Sequence, residues 1–350
     1  RPVFGREPHG RREFLETSAG VLICTLAGQQ VFSGEEADLA KLTEGVEVPP
    51  KVAAAKGAQP DKRIAGEPGA GNTVEYWIQA EPRVWSIVPT GRDEMMNRKI
   101  RTRSKFTAWT YRPYSRDFGA PLDVGTIPGP LLEVEEGQTL VVNFRNRTSA
   151  PVTMHPHGIH YAEEMDGAYK GAFTDPGGFV QPGQEFQYRW FAQEGTAGAW
   201  TYHDHGPMDP IPLYKGLFGP LIIRPSGATP PDEDFFLFFH DLQPVATGLA
   251  KAYSSVNGRA YAGNTPTLRA SVGDEVAFHI YGMDNNFHTF HLHGHRWEDP
   301  GTGQIIDNKT FGPGDSYNFT FTEDNPGRWF YHCHVFSHLH MGMNGWYIVT

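Results

Sequence analysis

The chain contains two cysteines in 350 residues, which excludes a small scaffold stapled by disulfides. It has no apolar run near the roughly 20 residues that a membrane-spanning helix requires. Positive charge is also in short supply. Forty acidic residues against 30 basic ones leave a formal net charge of −10, and no Lys/Arg cluster alternates with aromatics, so the footprint of a nucleic-acid-binding protein is missing. Long stretches of helical periodicity are absent as well. What is present in quantity is turn chemistry, 40 glycines and 28 prolines, which suits an all-β chain. The length is comfortable for two domains. Sixteen histidines form the compositional anomaly, because imidazole is the side chain most often recruited by transition metals.

The N-terminal region carries a separate message. Arg11-Arg12-Glu13-Phe14-Leu15 precedes a short apolar run, residues 20–28, in the pattern of a twin-arginine export signal. Residues 1–30 are therefore expected to lie outside the fold, and 31–73, rich in Ala, Gly, Pro and charge, read as a flexible leader. The expected destination is periplasmic or extracellular. Cys24 falls within the apolar run, so its removal would leave Cys333 as the single cysteine. Leu22 and Ile23 stand where a lipid-attachment signal would place small side chains.

Strand-like segments recur from residue 74 between Gly/Pro turns, at 74–78, 106–111, 139–144, 186–191 and 221–223. The second half then repeats the first. The stretch from Gly137 to Phe144 matches Gly273 to Ile280, and His155-Pro156-His157-Gly158 matches His291-Leu292-His293-Gly294, both 136 residues apart. Gly198 to His205 matches Gly327 to His334 at a separation of 129, so the loops of the second copy are shorter. A period this long predicts two homologous β-domains, placed at 74–226 and 227–350 with a Pro-rich linker around 225–231.

Four His-x-His pairs occupy matched positions: His155/His157, His203/His205, His291/His293 and His332/His334. On a strand, residues i and i+2 point the same way, so each pair presents two imidazoles on one face. Eight imidazoles buried as mere packing would need eight polar partners. They suit instead a three-metal cluster of the kind three copper ions would need, two ligands on one and three on each of the others. Nitrogen-rich ligation fits copper or zinc, which the remaining ligands separate. His9, His240 and His279 stand apart and read as ordinary histidines; His160, His295 and His340 exceed the ligand count.

Cys333 lies between two of these histidines, with His338 and Met343 following and His288 ahead of the third pair. Two His, one Cys and a weak axial Met make a blue-copper electron-transfer site, with Met341 as the rival axial ligand. The first repeat serves as a control. Val152, Asp204 and Leu217 stand where His288, Cys333 and Met343 would align, so the mononuclear site is confined to the second repeat.

These motifs together resemble the multicopper oxidase family, and most of all its small two-domain bacterial laccases, over roughly residues 74–350. The resemblance implies two cupredoxin-like Greek-key β-sandwich domains and four copper ions. His155 and His291 would hold the type 2 copper; His157, His203, His205, His293, His332 and His334 would hold the type 3 pair. It implies a copper-dependent oxidoreductase in which phenols or aromatic amines give up single electrons near His288 or His338, which pass through Cys333 toward His332 and His334 for reduction of O2 to water. Asp166 corresponds to an acidic residue near the cluster and Tyr161 to a tyrosine there, though an Asp-Gly turn and simple packing account for them nearly as well. The relatives are homotrimers with clusters between chains. A metal-ion oxidase for Cu(I), Fe(II) or Mn(II), a copper nitrite reductase and a non-catalytic copper carrier are the alternatives; the lack of a Met-rich run favours organic substrates.

Overall fold

Whether a strand alternates in burial or is apolar throughout depends on its place in a sheet, and both kinds occur here. Strand β7 (Thr139–Asn146) is buried along most of its length because it lies between β2 (Thr73–Ser86) and β9 (Glu185–Phe191), whereas β9 alternates buried and accessible residues at the sheet edge. The computed structural model describes residues 66–69 and 72–350. The export signal expected at 1–30 and the leader up to residue 65 lie outside the described residues. The leader's expected end at 73 needs correction: β1 (Glu67–Pro68) already pairs with Val74 and Glu75 of β2. Glycine at 66, 69 and 71 hides that pairing in composition.

The first half of the described chain forms two sheets. In one, β1, β2, β7 and β9 follow in order, and β5 (Lys105–Tyr114) also pairs with β2. In the other, β6 (Leu132–Glu135), β11 (Phe218–Arg224), β10 (Gly198–His203) and β8 (His155–Pro156) lie side by side. The second half repeats this plan. One sheet runs β13 (Tyr253–Val256), β12 (Glu233–Leu242), β15 (Glu275–Gly282), β20 (Ser316–Thr322); the other runs β14 (Thr267–Ala270), β22 (Asn344–Val349), β21 (Gly327–Cys333), β16 (His288–Leu292), β19 (Asn308–Phe311).

The repeat extends to register. His155 pairs with His203 across β8 and β10, and His291 pairs with His332 across β16 and β21. Tyr202 and Tyr331 each donate a hydroxyl to a proline carbonyl, of Pro130 and Pro266, at 2.6 Å in both cases. One glycine position shows why His-x-His-Gly ends as it does. Gly158 and Gly294 have φ of +70° and +73°, and a Cβ there would lie 2.0 Å from the Trp200 ring and 2.5 Å from that of Trp329.

An apolar seam joins the halves. Phe218 of β11 stacks on Phe238 of β12 at 5.1 Å, Phe238 stacks on Tyr281 at 4.2 Å, and the Trp85 indole donates to the Gly258 carbonyl. A hairpin of β3 (Arg92–Asp93) and β4 (Arg98–Lys99), set between β2 and β5, reaches onto the second half, where the Glu94 amide donates to the Ala262 carbonyl.

Candidate metal centres

Each half carries one histidine cluster, built by the same local rules. In the first, β8 and β10 bring His155 beside His203, and the loop after β8 folds back so that the His157 amide donates to the Thr201 carbonyl. His157 Nε2 and His203 Nε2 face one another at 3.0 Å. The His155 ring lies 5.3 to 5.4 Å from those of His157, His203 and His205. His155 donates from Nδ1 to the Asp166 carbonyl, and His203 donates to that of Asp204, each at 2.7 Å, which leaves the Nε2 lone pair of both rings for a metal. Burial, reinforced by neighbouring imidazoles, holds His157 at about 4 and His203 at about 3. Both are neutral at ordinary pH, the state a metal requires.

The second cluster matches it. His293 Nε2 and His332 Nε2 are 3.1 Å apart, His291 donates from Nδ1 to the Asp307 carbonyl at 2.7 Å, and His332 donates to that of Cys333 at 2.9 Å. His334 completes the group with its ring 5.4 Å from that of His332. Burial lowers His332 to about 4. The two clusters of one chain do not merge: among the described residues no ring of the first set contacts a ring of the second, and His293 and His334 are exposed.

Behind the second cluster, three buried donors converge. His288 Nδ1 and His338 Nδ1 are 3.2 Å apart, and Cys333 Sγ lies 3.9 Å from the first and 3.7 Å from the second. Strand β16 contributes His288, the end of β21 contributes Cys333, and helix α3 (Phe336–Met341) contributes His338; two shorter helices, α1 (Ile211–Lys215) and α2 (Pro244–Thr247), precede it. Burial opposes ionisation of the Cys333 thiol, but hydrogen bonds from His288 and His338 outweigh it and bring the thiol down to about 6. Met343 is fully buried within the core cluster that contains Cys333, and Met341 is partly exposed.

The matching position in the first half shows what the fold does without these donors. The Asp204 amide donates to the Leu217 carbonyl at 3.0 Å, just as the Cys333 amide donates to that of Met343 at 3.0 Å. Val152 and Leu217 are wholly buried, and Asp204 accepts from the amides of Thr153 and Gly206. Burial pushes Asp204 up to about 7 despite those two bonds. Nothing there offers the His, Cys and Met donors of the second half.

The remaining residues singled out in the sequence fall into place. Asp166 caps the 3-10 helix Glu163–Met165 ahead of Gly167 at φ +69°, and its carboxylate also reaches His155 Nδ1 at 3.1 Å and Lys170 Nζ at 3.3 Å. The Tyr161 ring lies 6.0 Å from that of His155. Burial and Asp166 raise its pKa. His240 is buried against Ser255 and the Gly258 amide, and His279 joins Asp234 to Asn318. His9 lies outside the described residues. His160 and His340 are exposed. His295, in contrast, braces the second cluster: Nδ1 donates to the His293 carbonyl at 2.8 Å while Nε2 meets the buried Glu323 at 3.0 Å. Sequence reading missed Asp284, which accepts from His288 Nε2 at 3.1 Å and is itself held by the amides of Asp241 and Asn286.

Family models described as multicopper oxidase match residues 123–228 and 239–350. The chain belongs to the multicopper oxidase family. It is 34% identical over 245 residues to a Kuenenia stuttgartiensis protein named "Probable nitrite reductase-hydroxylamine oxidoreductase fusion protein", covering 65% of this chain and 28% of that one. Human hephaestin is 27% identical over 348 residues, covering 80% of this chain and 29% of hephaestin. The chain thus spans less than a third of the length of these relatives. Among solved structures, a blue copper oxidase from Nitrosomonas europaea shares the fold with a TM-score of 0.61 and 22% identity, covering 79% of this chain and 86% of that one. A structure described as a multicopper oxidase aligns with a TM-score of 0.64 and 24% identity, covering 85% of this chain and 93% of its own. The fold is therefore the cupredoxin-type β-sandwich of these oxidases.

Copper, the metal of this family, fits the donors. A thiol held in its ionised form beside two Nδ1 atoms is a soft, nitrogen-rich set, and no carboxylate faces the donor triangle directly. Asp284 accepts from His288 Nε2, so Nδ1, the atom that faces Cys333 Sγ, is the one that would exchange its proton for a metal. With a blue copper held by this set, Asp284→Asn would keep the colour and raise the reduction potential, because removing a negative charge destabilises the more highly charged oxidised metal. Exchanging a charge-assisted hydrogen bond for a neutral one is worth roughly 1 kcal/mol, about 40 mV for a one-electron couple. A redox titration followed at the blue band reads it, and an unchanged or lowered potential contradicts the role.

Proposed function

We propose that the chain is a laccase-like oxidase, exported and active as a homotrimer, that couples one-electron oxidation of phenols or aromatic amines to four-electron reduction of O2 to water. The observation that carries this reading is the convergence of His288, Cys333 and His338 in the second half alone, with Cys333 joined through its own backbone to His332 and His334. On this reading residues 74–226 and 227–350 are its two domains. His288, Cys333, His338 and Met343 hold one copper, His155 and His291 a second, and His157, His203, His205, His293, His332 and His334 a pair. Bound copper supplies one-electron redox chemistry and a place for O2.

The chain's own residues do the rest. His288 and Cys333 are sealed from solvent, so a reductant approaches at the His338 side. Phe287 and Phe336, 60% and 65% exposed, sit next to His288 in sequence and on the His338 helix, and offer apolar surface to an aromatic ring. Asp166, hydrogen-bonded to His155 and paired with Lys170, would relay protons beside the first cluster on this reading, and the nearness of Tyr161 to His155 supports a role for it there. The trimer is supported by the separation of the two clusters within one chain and by the exposure of His293 and His334, each of which needs a neighbour's face to become buried.

Oxidation of a metal ion is the second reading, favoured by relatives named as ferroxidases. Asp241 and Asp284, the carboxylates near His288, are however 3% and 6% exposed, which closes them to an ion arriving from solvent. O2 uptake by the copper-loaded protein separates the readings. The expected result is uptake with 2,6-dimethoxyphenol that exceeds uptake with Fe(II) or Cu(I); the reverse order would transfer the assignment.

A further inference from the structure

The chain is acidic overall, with a net charge of −10, yet five of the eight residues from Arg98 to Lys105 are basic and none is acidic. Arg98, Lys99, Arg101, Arg103 and Lys105 are all exposed. Arg98 pairs with the buried Asp93 and keeps half of its side chain in solvent. Among the described residues, no carboxylate lies within ion-pair distance of Lys99, Arg101, Arg103 or Lys105, and the one other acid of the hairpin, Glu94, is turned toward Arg328 and Trp346. Lys251 joins the strip from the second half. Its ammonium lies over the Tyr253 ring, and its pKa is lowered by burial and by the charge of Arg98.

The position of this strip gives it meaning. Thr102 hydrogen-bonds the Tyr253 hydroxyl at 2.7 Å, and that hydroxyl reaches the Arg103 carbonyl at 3.1 Å. Tyr253 begins β13, the strand against which helix α3, bearing His338, packs. Arg98 also faces the Tyr261 ring, whose residue donates its amide to the Gly342 carbonyl, while the next amide, Ala262, bonds the Asn344 side chain. These contacts bracket Met343. The strip and the segment from His338 to Met343 therefore share one wall of tyrosines and loop backbone.

We propose that this basic strip is a docking surface for an acidic one-electron carrier protein that delivers electrons at the His338 side. The inference rests on the copper reading of that site. In each encounter the carrier is oxidised by one electron and no atom is transferred; four encounters supply the electrons for one O2, whose protons come from solvent. Like charges clustered on one face attract an oppositely charged partner over about one Debye length, roughly 8 Å at physiological salt, and raise its encounter rate by about 10-fold to 1,000-fold. A small neutral phenol gains nothing from such a field. That difference separates docking from general activity.

The test uses the copper-loaded full chain and the triple variant R101E/R103E/K105E, none of whose positions is a metal ligand. Plant plastocyanin serves as the acidic carrier and horse cytochrome c as a basic one. Binding of the oxidised carriers is measured calorimetrically, and oxidation of the reduced carriers by stopped flow, at low and at physiological salt. The expected result is that plastocyanin binds, that its second-order rate falls about 10-fold or more with the triple variant and with added salt, and that phenol turnover changes less than about two-fold. Wild type and variant indistinguishable toward plastocyanin, or a preference for cytochrome c, would overturn the proposal. So would binding of anionic lipid vesicles, lost in the variant, without binding of plastocyanin. Salt-sensitive plastocyanin binding with no electron transfer and no phenol oxidation would instead leave docking in place and remove the copper-oxidase reading.

Discussion

Replacing Cys333 with Ser is expected to abolish the blue colour and lower phenol turnover by about 1,000-fold or more, while copper stays bound at the histidine clusters. Cys333 offers the only thiol among the described residues, and a serine hydroxyl neither ionises at working pH nor binds copper as a soft donor. The loss is chemical rather than architectural. The first half folds with Asp204 at the matching position and makes the same backbone hydrogen bond there. The eight cluster histidines take none of their ring hydrogen bonds from the Cys333 side chain; His332 bonds its backbone carbonyl, which serine also provides. Metal analysis together with the visible spectrum of the variant tests this. Retained blue colour, or loss of all copper, would contradict the separation of the two kinds of site.

The second large effect tests the proposed trimer. A variant crippled in the first cluster, H157A/H203A, and one crippled in the second, H293A/H332A, should each lose O2 reduction when prepared alone. Unfolded, mixed in equal amounts and refolded with copper, the two should regain activity. If each centre combines a first cluster from one chain with a second cluster from its neighbour, about one centre in four in a randomly mixed trimer joins two intact halves. If both clusters of one chain served the same centre, no mixture would contain an intact one. The outcome is read as oxygen uptake, with native mass spectrometry confirming mixed trimers. Absence of recovery in confirmed mixed trimers would refute the inter-chain arrangement.

Much of this architecture was legible in the sequence because metal binding restricts residue type. The four His-x-His pairs recur in both halves, 136 and 129 residues apart, and the strands punctuated by Gly and Pro announced the β repeat; which pair lies beside which came from the fold, His155 beside His203 and His291 beside His332. What escaped was work done by backbone and by context. His155 and His291 are oriented by the carbonyls of Asp166 and Asp307, which any residue could supply, so no side-chain pattern announces them. Asp284 sits in an Asp-Asn-Asn stretch that reads as a turn, and only the fold carries it under His288. His295 looked superfluous because counting ligands says nothing about what braces them. The hairpin from Arg92 to Lys99 is too short for periodicity to reveal, yet it ties the halves together.

In the proposed function two kinds of copper site act together to carry four electrons to one O2. Its most direct test is the stoichiometry of oxygen consumption by the copper-loaded protein, with phenol radical formation and oxygen followed in the same vessel. Four one-electron oxidations for each O2 consumed, with no hydrogen peroxide released, is the predicted result. Two oxidations per O2 with peroxide accumulating, or no oxygen consumption by fully loaded protein, would contradict it.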